Sequence, residues 1–386
     1  NLTINEGATL TINPGTSVEF LGNYSITVKG QIVAGNGTKN QTVFTTYDAP
    51  FWNGIHLVDN GIGVFENCLI ENIKNNANGA ISMNNNAVLS ISNSTLQNNE
   101  AKNGGGIYAA TNTNLTITNT IVQQSKARQD GGAIWLSNGV NAFISDVTIN
   151  SNTANASGGG IYAKDNAIIE MTDIAIENNI SDANGGGVFM TDKTQATIST
   201  ISLNNNWSGG NGGALFADGE ALINLTGIDI ENNSSAIDGG GIYFDVNKDV
   251  AITDINLIAN SASGNGGAIL FTGNTVARLN DIKIKNNHSQ QNGGGIYADT
   301  DTKLEIANLL SEQNTAQSNG GGLFATDQAQ ITASQIILKE NTALLDGGAI
   351  FSNSNTSLIA NDIQFSNNTA YKGGAFCLND DAEVLF

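Results

Sequence analysis

Proline is almost missing from this 386-residue chain, with two in all, Pro14 and Pro50. Cysteine and histidine are equally scarce, at two each. Two cysteines are too few for a disulfide framework, and zinc sites built from clustered Cys and His are excluded by count. Basic residues are few as well: Lys and Arg total 15 against 35 Asp and Glu, for a net charge of −20. That balance excludes a basic nucleic-acid surface. Charged residues make up only 13%, about half the usual share. No apolar run approaches the roughly 20 residues that span a bilayer, so the segment is not expected to insert in a membrane. Asn1 is not an initiator Met and no signal-peptide pattern follows it, so the chain reads as a trimmed segment of something longer.

What is abundant is small and polar. Gly numbers 45, and Asn is more frequent still. Hydrophobic residues at 40% are enough for a core, which argues against wholesale disorder.

An internal repeat decides the fold class. The tetrapeptide Gly-Gly-[Gly/Ala]-[Ile/Val/Leu/Phe] recurs with its third residue at Gly106, Ala133, Gly160, Gly187, Ala214, Gly241, Ala268, Gly295, Gly322, Ala349 and Ala375. These positions keep a 27-residue step, shortened only at the last copy. A partial copy stands at Gly79-Ala80-Ile81. Within a unit, Ile169 and Met171 alternate with polar residues, Thr172-Asp173 interrupts, and Ile174 and Ile176 alternate again. A short run, Val188-Phe189-Met190, follows the glycines. Period 2 without any 3.6-residue pattern means strands. Three short strands cannot close a core alone, so each unit must stack on the next. The expectation is all-β: a right-handed, single-stranded parallel β-helix of about 14 rungs, about 65 Å long at ~4.8 Å per rung. Residues 1–79 form N-terminal rungs or a cap, continuous with regular repeats over 80–386 in one elongated domain.

Two polar columns keep phase with the glycines. The first is Asn99, Asn152, Asn179, Asn206, Asn233, Asn260, Asn287, Asn314, Asn341 and Asn368, with Ser125 the one departure. Stacked Asn amides can hydrogen-bond along the axis and satisfy corner backbone groups, so these read as a structural ladder. The second column, Asp130, Ser157, Asn184, Asn211, Asp238, Asn265, Asn292, Asn319 and Asp346, precedes the glycines.

The repeats resemble those of chlamydial polymorphic outer-membrane proteins and related surface β-helix proteins. The resemblance rests on residues 80 to 380 and is fullest at Phe365-Ser366-Asn367-Asn368 followed by Gly373-Gly374-Ala375-Phe376. Elsewhere Ile or Leu replaces the Phe, as in Ile230-Glu231-Asn232-Asn233, and Ser311 departs altogether. Residues 28–35 and 52–55 are similar to the opening of secreted parallel β-helix proteins. The resemblance implies an exported, extracellular or cell-surface protein, often an adhesin carried as an autotransporter passenger. The family's membrane barrel has no counterpart in these residues.

A contact surface is expected in the column after the glycines: Tyr108, Trp135, Tyr162, Phe189, Phe216, Tyr243, Tyr297, Phe324 and Phe351. The neighbouring column is aliphatic, and strand neighbours face opposite sides. Placing the aliphatics inside leaves the aromatics as an outer stripe that could dock a partner. Packing of the same rings into a self-stacked ladder is the alternative. A further column at the mid-unit bend, Asn119, Asp146, Asp173, Asp254, Asp281, Asn308 and Asp362, could place a cation between stacked carboxylates. Thr200 and Gly227 break it and these residues suit turns, so no metal is assigned. Glycosylation acceptors stand at Asn23, Asn114, Asn206, Asn224, Asn233 and Asn287. No residues cluster as a catalytic set, and no cofactor is implied.

The first functional reading is a non-enzymatic surface adhesin or passenger-type binding rod. Its partner would be a host or cell-surface protein or a glycan. The alternative is a structural subunit of an extracellular filament or sheath, with copies stacked end to end. A polysaccharide-active enzyme is the third.

Overall fold

A computed structural model describes residues 1–37 and 40–385. The described residues are all-β: about fourteen turns of right-handed parallel β-helix spaced about 27 residues apart. They group into two compact units. The first is Asn1–Asp182 with Gly187–Phe189 and Lys193–Ala196; the second holds the remaining described residues. Ile55 pairs directly with Ile81, so residues 1–79 run into the regular repeats without a break in the sheet.

In the first unit, short strands follow the glycines. Ile81–Met83, Ile107–Ala109, Ile134–Leu136 and Ile161–Ala163 pair in parallel, in that order. Ten-residue strands form a second face, Asn114–Gln123, Asn141–Asn150 and Ile168–Glu177. A third face consists of two-residue strands, among them Lys126–Ala127, Thr153–Ala154 and Ile180–Ser181. The first coils are less regular: Leu2 pairs Ile26, and Ile26 pairs Ile55. There the long strand is still split, as in Thr9–Ile12 and Ser17–Phe20. Trp52 fills the core of these coils, stacked 3.9 Å from Phe20 with its indole N–H donating to Glu71 O.

The second unit repeats the same three faces without irregular coils. Its short strands run from Leu215–Gly219 to Phe376–Leu378, and its long strands from Leu222–Glu231 to Ser357–Ser366. Pairs such as Ile242 with Ile269 and Leu279 with Ile306 keep identical phases opposed. Each inward position therefore lies on its own counterpart. Stacked Ile, Leu and Val, with Phe244 over Phe271 at 5.6 Å, make a dry core.

The long strand differs from the two separate strands read from the sequence. Its halves are one strand bent at a single left-handed residue. Asn119, Asp146, Asp173, Asp254, Asp281, Asn308 and Asp362 hold φ between +43° and +57°, and Thr200 and Gly227 take the same region. Asn, Asp and Gly tolerate that conformation best, which accounts for the column as turn chemistry. The two-residue strand sits inside what had read as a polar corner, too short to show a period.

Candidate functional site

The face with the glycine motif is built by steric exclusion. The first glycine of each motif holds φ between +60° and +68°. A Cβ on Gly131 would lie 2.5 Å from Ile134 O and 3.0 Å from Trp135 Cβ. On Gly132 it would meet Gly159 O of the next coil at 2.0 Å. The third position does not take a left-handed φ, and Ala stands there at Ala133, Ala214, Ala268, Ala349 and Ala375; a Cβ on Gly106 comes no nearer than 3.0 Å, against 2.5–2.7 Å at Gly160, Gly241, Gly295 and Gly322. The glycine loop thus passes close over the ring that follows it in sequence.

That closeness corrects the expected outer stripe. The aliphatic column is inward, and the aromatics do point the other way, but they are covered. Trp135, Phe189, Phe216, Phe324 and Phe351 are only 4–8% exposed, while Tyr108, Tyr162, Tyr243 and Tyr297 are half-buried. In the first unit, Tyr108 stacks on Trp135 at 4.4 Å and Tyr162 on Phe189 at 4.8 Å. In the second, Phe216 stacks on Tyr243 at 5.0 Å, and Phe324 on both Tyr297 and Phe351 at 5.0 and 5.1 Å. Near-parallel rings at coil spacing spend their faces on one another. The column is a packed ladder and not an open docking strip.

Acidic groups flank this ladder in the second unit. Burial raises the phenol pKa of Tyr243, and carboxylates at Asp245, Asp238, Asp299 and Asp218 push it further. Tyr297 is raised the same way, by burial first and then by Asp299. Asp218 and Asp299 are themselves raised by burial, partly offset by the Thr191 and Thr272 hydroxyls respectively. Asp218 Oδ1 and Asp299 Oδ1 are buried without a hydrogen bond. In the first unit the Lys164 ammonium lies 5.9 Å over the Trp135 ring.

The Asn column is a hydrogen-bonded ladder. In the first unit Asn152 Nδ2 donates to Asn179 Oδ1 and to Val122 O, both at 3.0 Å. In the second, Asn233, Asn260, Asn287, Asn314 and Asn341 each donate from backbone N–H and Nδ2 to the Oδ1 of the next Asn, at 2.8–3.1 Å. Ser125 breaks the upstream reach but still donates its N–H to Asn152 Oδ1. The column before the glycines is a second ladder of opposite sense. Asn184, Asn211, Asp238, Asn265, Asn292 and Asn319 each accept the backbone N–H one coil later.

The first ladder corrects three glycosylation acceptors. Asn206, Asn233 and Asn287 are buried within it, with their amides committed, so no glycan can be attached in the folded chain. Asn23, Asn114 and Asn224 are exposed. Both cysteines are free: burial pushes the Cys68 thiol up to about 12, while Cys377 is half-exposed. Among the described residues, no group of three or more His, Cys, Asp or Glu is placed to hold a metal ion, and no helix is long and apolar enough to cross a membrane.

The outer faces of the second unit carry features that the repeat grammar does not require. Arg278 bridges Asp249 at 3.0 Å and Glu305 at 3.2 Å beside a shallow groove of about 520 Å³. Glu312, its side chain 9% exposed, is clamped at 2.7 Å by both Lys285 and Lys339, which lowers its pKa. A second groove, of about 430 Å³, lies at the corner formed by Thr315, Thr342 and Thr369 with Leu344 and Tyr371. Sequence reading passed over that corner. The signal was a departure: positions held by Ser263-Gly264, Gln290-Gln291 and Gln317-Ser318 in earlier coils become Leu344-Leu345.

Stacked coils, inward aliphatics and polar ladders define a parallel β-solenoid whose outer faces are free to vary. The chain belongs to the family of right-handed β-helix regions, matched over residues 79–179 and 132–309. Residues 362–379 match the repeat of the Chlamydia polymorphic membrane protein. No curated protein matches the chain.

Proposed function

We propose that the chain is a cell-surface, passenger-type β-helix that acts as an adhesin: a rigid scaffold presenting outer side chains to a partner. The polymorphic membrane protein repeat at residues 362–379 carries this reading, because it joins the surface-protein motif to the fold. The structure is compatible with it for a physical reason. Ladders and core satisfy the backbone internally, so coils tolerate almost any outward residue, and contact surfaces can be written on them without loss of fold. The aromatic column, covered and self-stacked, is not that surface.

The reading is one of binding without catalysis. The groove beside Arg278 has the residue types a polysaccharide-active site would use, but its guanidinium is already shared between two exposed carboxylates. Beads coated with the purified chain should adhere to target cells, and free chain should compete them off. Adhesion no better than that of albumin-coated beads would refute the adhesin. Release of reducing ends from polysaccharide would establish an enzyme instead, and ordered polymers under negative-stain electron microscopy would establish the filament subunit.

A further inference from the structure

We infer that the corner lined by Thr315, Thr342, Thr369, Gln317, Leu344 and Tyr371 is a binding site for a neutral pyranose oligosaccharide. It names a ligand class for the scaffold proposed above and rests on that reading for its biological setting.

The apolar part has no structural task. Leu344 is 61% exposed and Leu345 49%, although a further coil stacks on theirs, so neither contributes to the core; Tyr371 beside them is 82% exposed. Leu344 and Tyr371 both line the groove, and exposed apolar side chains gathered in one place often mark a functional surface. In the preceding coils the same corner is polar or small, at Ser263, Gln290 and Gln317. The fold thus accepts polar residues there, and Leu344 is a departure without a packing reason.

The polar part is ordered by the solenoid. Thr315 pairs with Thr342 and Thr342 with Thr369, so three outward hydroxyls rise along one wall at steps of about 4.8 Å. Their backbones are pinned: Thr342 N–H donates to Asn314 O and Thr369 N–H to Asn341 O, both at 2.9 Å. Leu344 N–H donates to Ala316 O at 3.0 Å, and Lys372 N–H to Leu345 O at 3.0 Å. The Gln317 carboxamide, exposed one coil below Leu344, adds a donor and an acceptor. The groove of about 430 Å³ falls within the range of small-ligand sites and combines an apolar floor with a few convergent polar groups.

The ligand must match both parts. It needs an apolar face to lie on the Tyr371 ring and the Leu344 methyls, and hydroxyls at its edge repeating at about the coil spacing of ~4.8 Å. A pyranose chain has both: axial C–H faces, and equatorial hydroxyls on a repeat near one coil. Charge selects further. The chain carries a net charge of −20, which disfavours an anionic glycan.

The test titrates the purified full chain with cellohexaose, maltohexaose and mannohexaose, with a hyaluronan hexasaccharide as the anionic counterpart. At least one neutral hexasaccharide should bind. Tyr371→Ser should weaken it roughly tenfold or more, Thr342→Val several-fold, and Tyr371→Phe less than about twofold. All these positions are on the surface, so unchanged circular dichroism keeps the comparison clean. The inference is overturned if no neutral hexasaccharide binds at concentrations up to ~10 mM. It is also overturned if Tyr371→Ser binds like wild type, or if hyaluronan binds more tightly than the neutral chains. Concentration-dependent self-association abolished by Leu344→Ser would replace it with a protein interface. Failed binding removes the site and leaves surface display standing; failed adhesion leaves the titration standing.

Discussion

Removing one buried amide from the first ladder should cost far more than removing one at the surface. In Asn260→Ala, four bonds of one side chain are lost. Asn260 Oδ1 accepts from Asn233 N–H and from Asn233 Nδ2, each at 3.0 Å. Its Nδ2 donates to Ile230 O at 2.9 Å and to Asn287 Oδ1 at 3.0 Å. Not all partners are orphaned. Asn233 Nδ2 keeps Leu203 O and Glu231 O, and Asn287 Oδ1 keeps the backbone N–H of residue 260. The buried N–H of Asn233 loses the acceptor that side chain supplied, and Ile230 O loses one donor. An unsatisfied buried donor costs about 1–3 kcal/mol, and the missing amide volume adds to it, so the loss should be roughly 2–4 kcal/mol. Guanidinium unfolding compared with Asn256→Ala measures it; that side chain donates only to Asp229 Oδ1 at the surface and should cost less than about 0.5 kcal/mol. Because neighbouring coils carry the coupling, hydrogen exchange at Asn233 should accelerate before distant coils respond. Equal unfolding midpoints for the two variants, with Asn233 as protected as in wild type, would refute the ladder argument.

Three further outcomes follow from the same geometry. Gly106→Ala should be tolerated within about 1 kcal/mol, whereas Gly131→Ala, at φ +68° and 2.5 Å from Ile134 O, should cost more than about 2 kcal/mol by thermal or chemical unfolding. Burial raises the pKa of Asp238, only partly offset by the Asn265 N–H, so the folded state favours its protonated form and gains relative stability as pH falls from neutrality through that raised value. Asp238→Asn keeps an acceptor for Asn265 and removes the charge; it should melt higher than wild type at pH 7 and gain less on acidification, and a lower melting point at pH 7 would contradict this. A thiol reagent should titrate one cysteine in the native chain, Cys377, and reach Cys68 only after unfolding; two native thiols of equal rate would show that the core coils open.

Much of the fold was legible because a solenoid writes its contacts as a period. The 27-residue step is also the register, so Ile107 over Ile134 and Asn152 over Asn179 could be read from spacing alone. What lies over a side chain was not legible. Strand alternation says that Trp135 points away from Ile134, and is silent on the glycine loop that covers it. A sequon motif likewise cannot tell Asn224 on an outer face from Asn233 inside a ladder. The opening coils, where Ile26 pairs Leu2 and Ile55 at unequal separations, have no period to read. The bend column was legible through Thr200 and Gly227, since a metal column has no use for Gly but a left-handed turn does. The Thr315–Tyr371 corner shows only by comparing coils, where Leu344 replaces the Ser263, Gln290 and Gln317 of the three coils before it.

The most direct test of the account is labelling of the intact cells that produce this protein, with antibody raised against the folded chain. The account predicts bright labelling without permeabilisation, lost when the cells are shaved with protease. Labelling that appears only after the envelope is breached would contradict it.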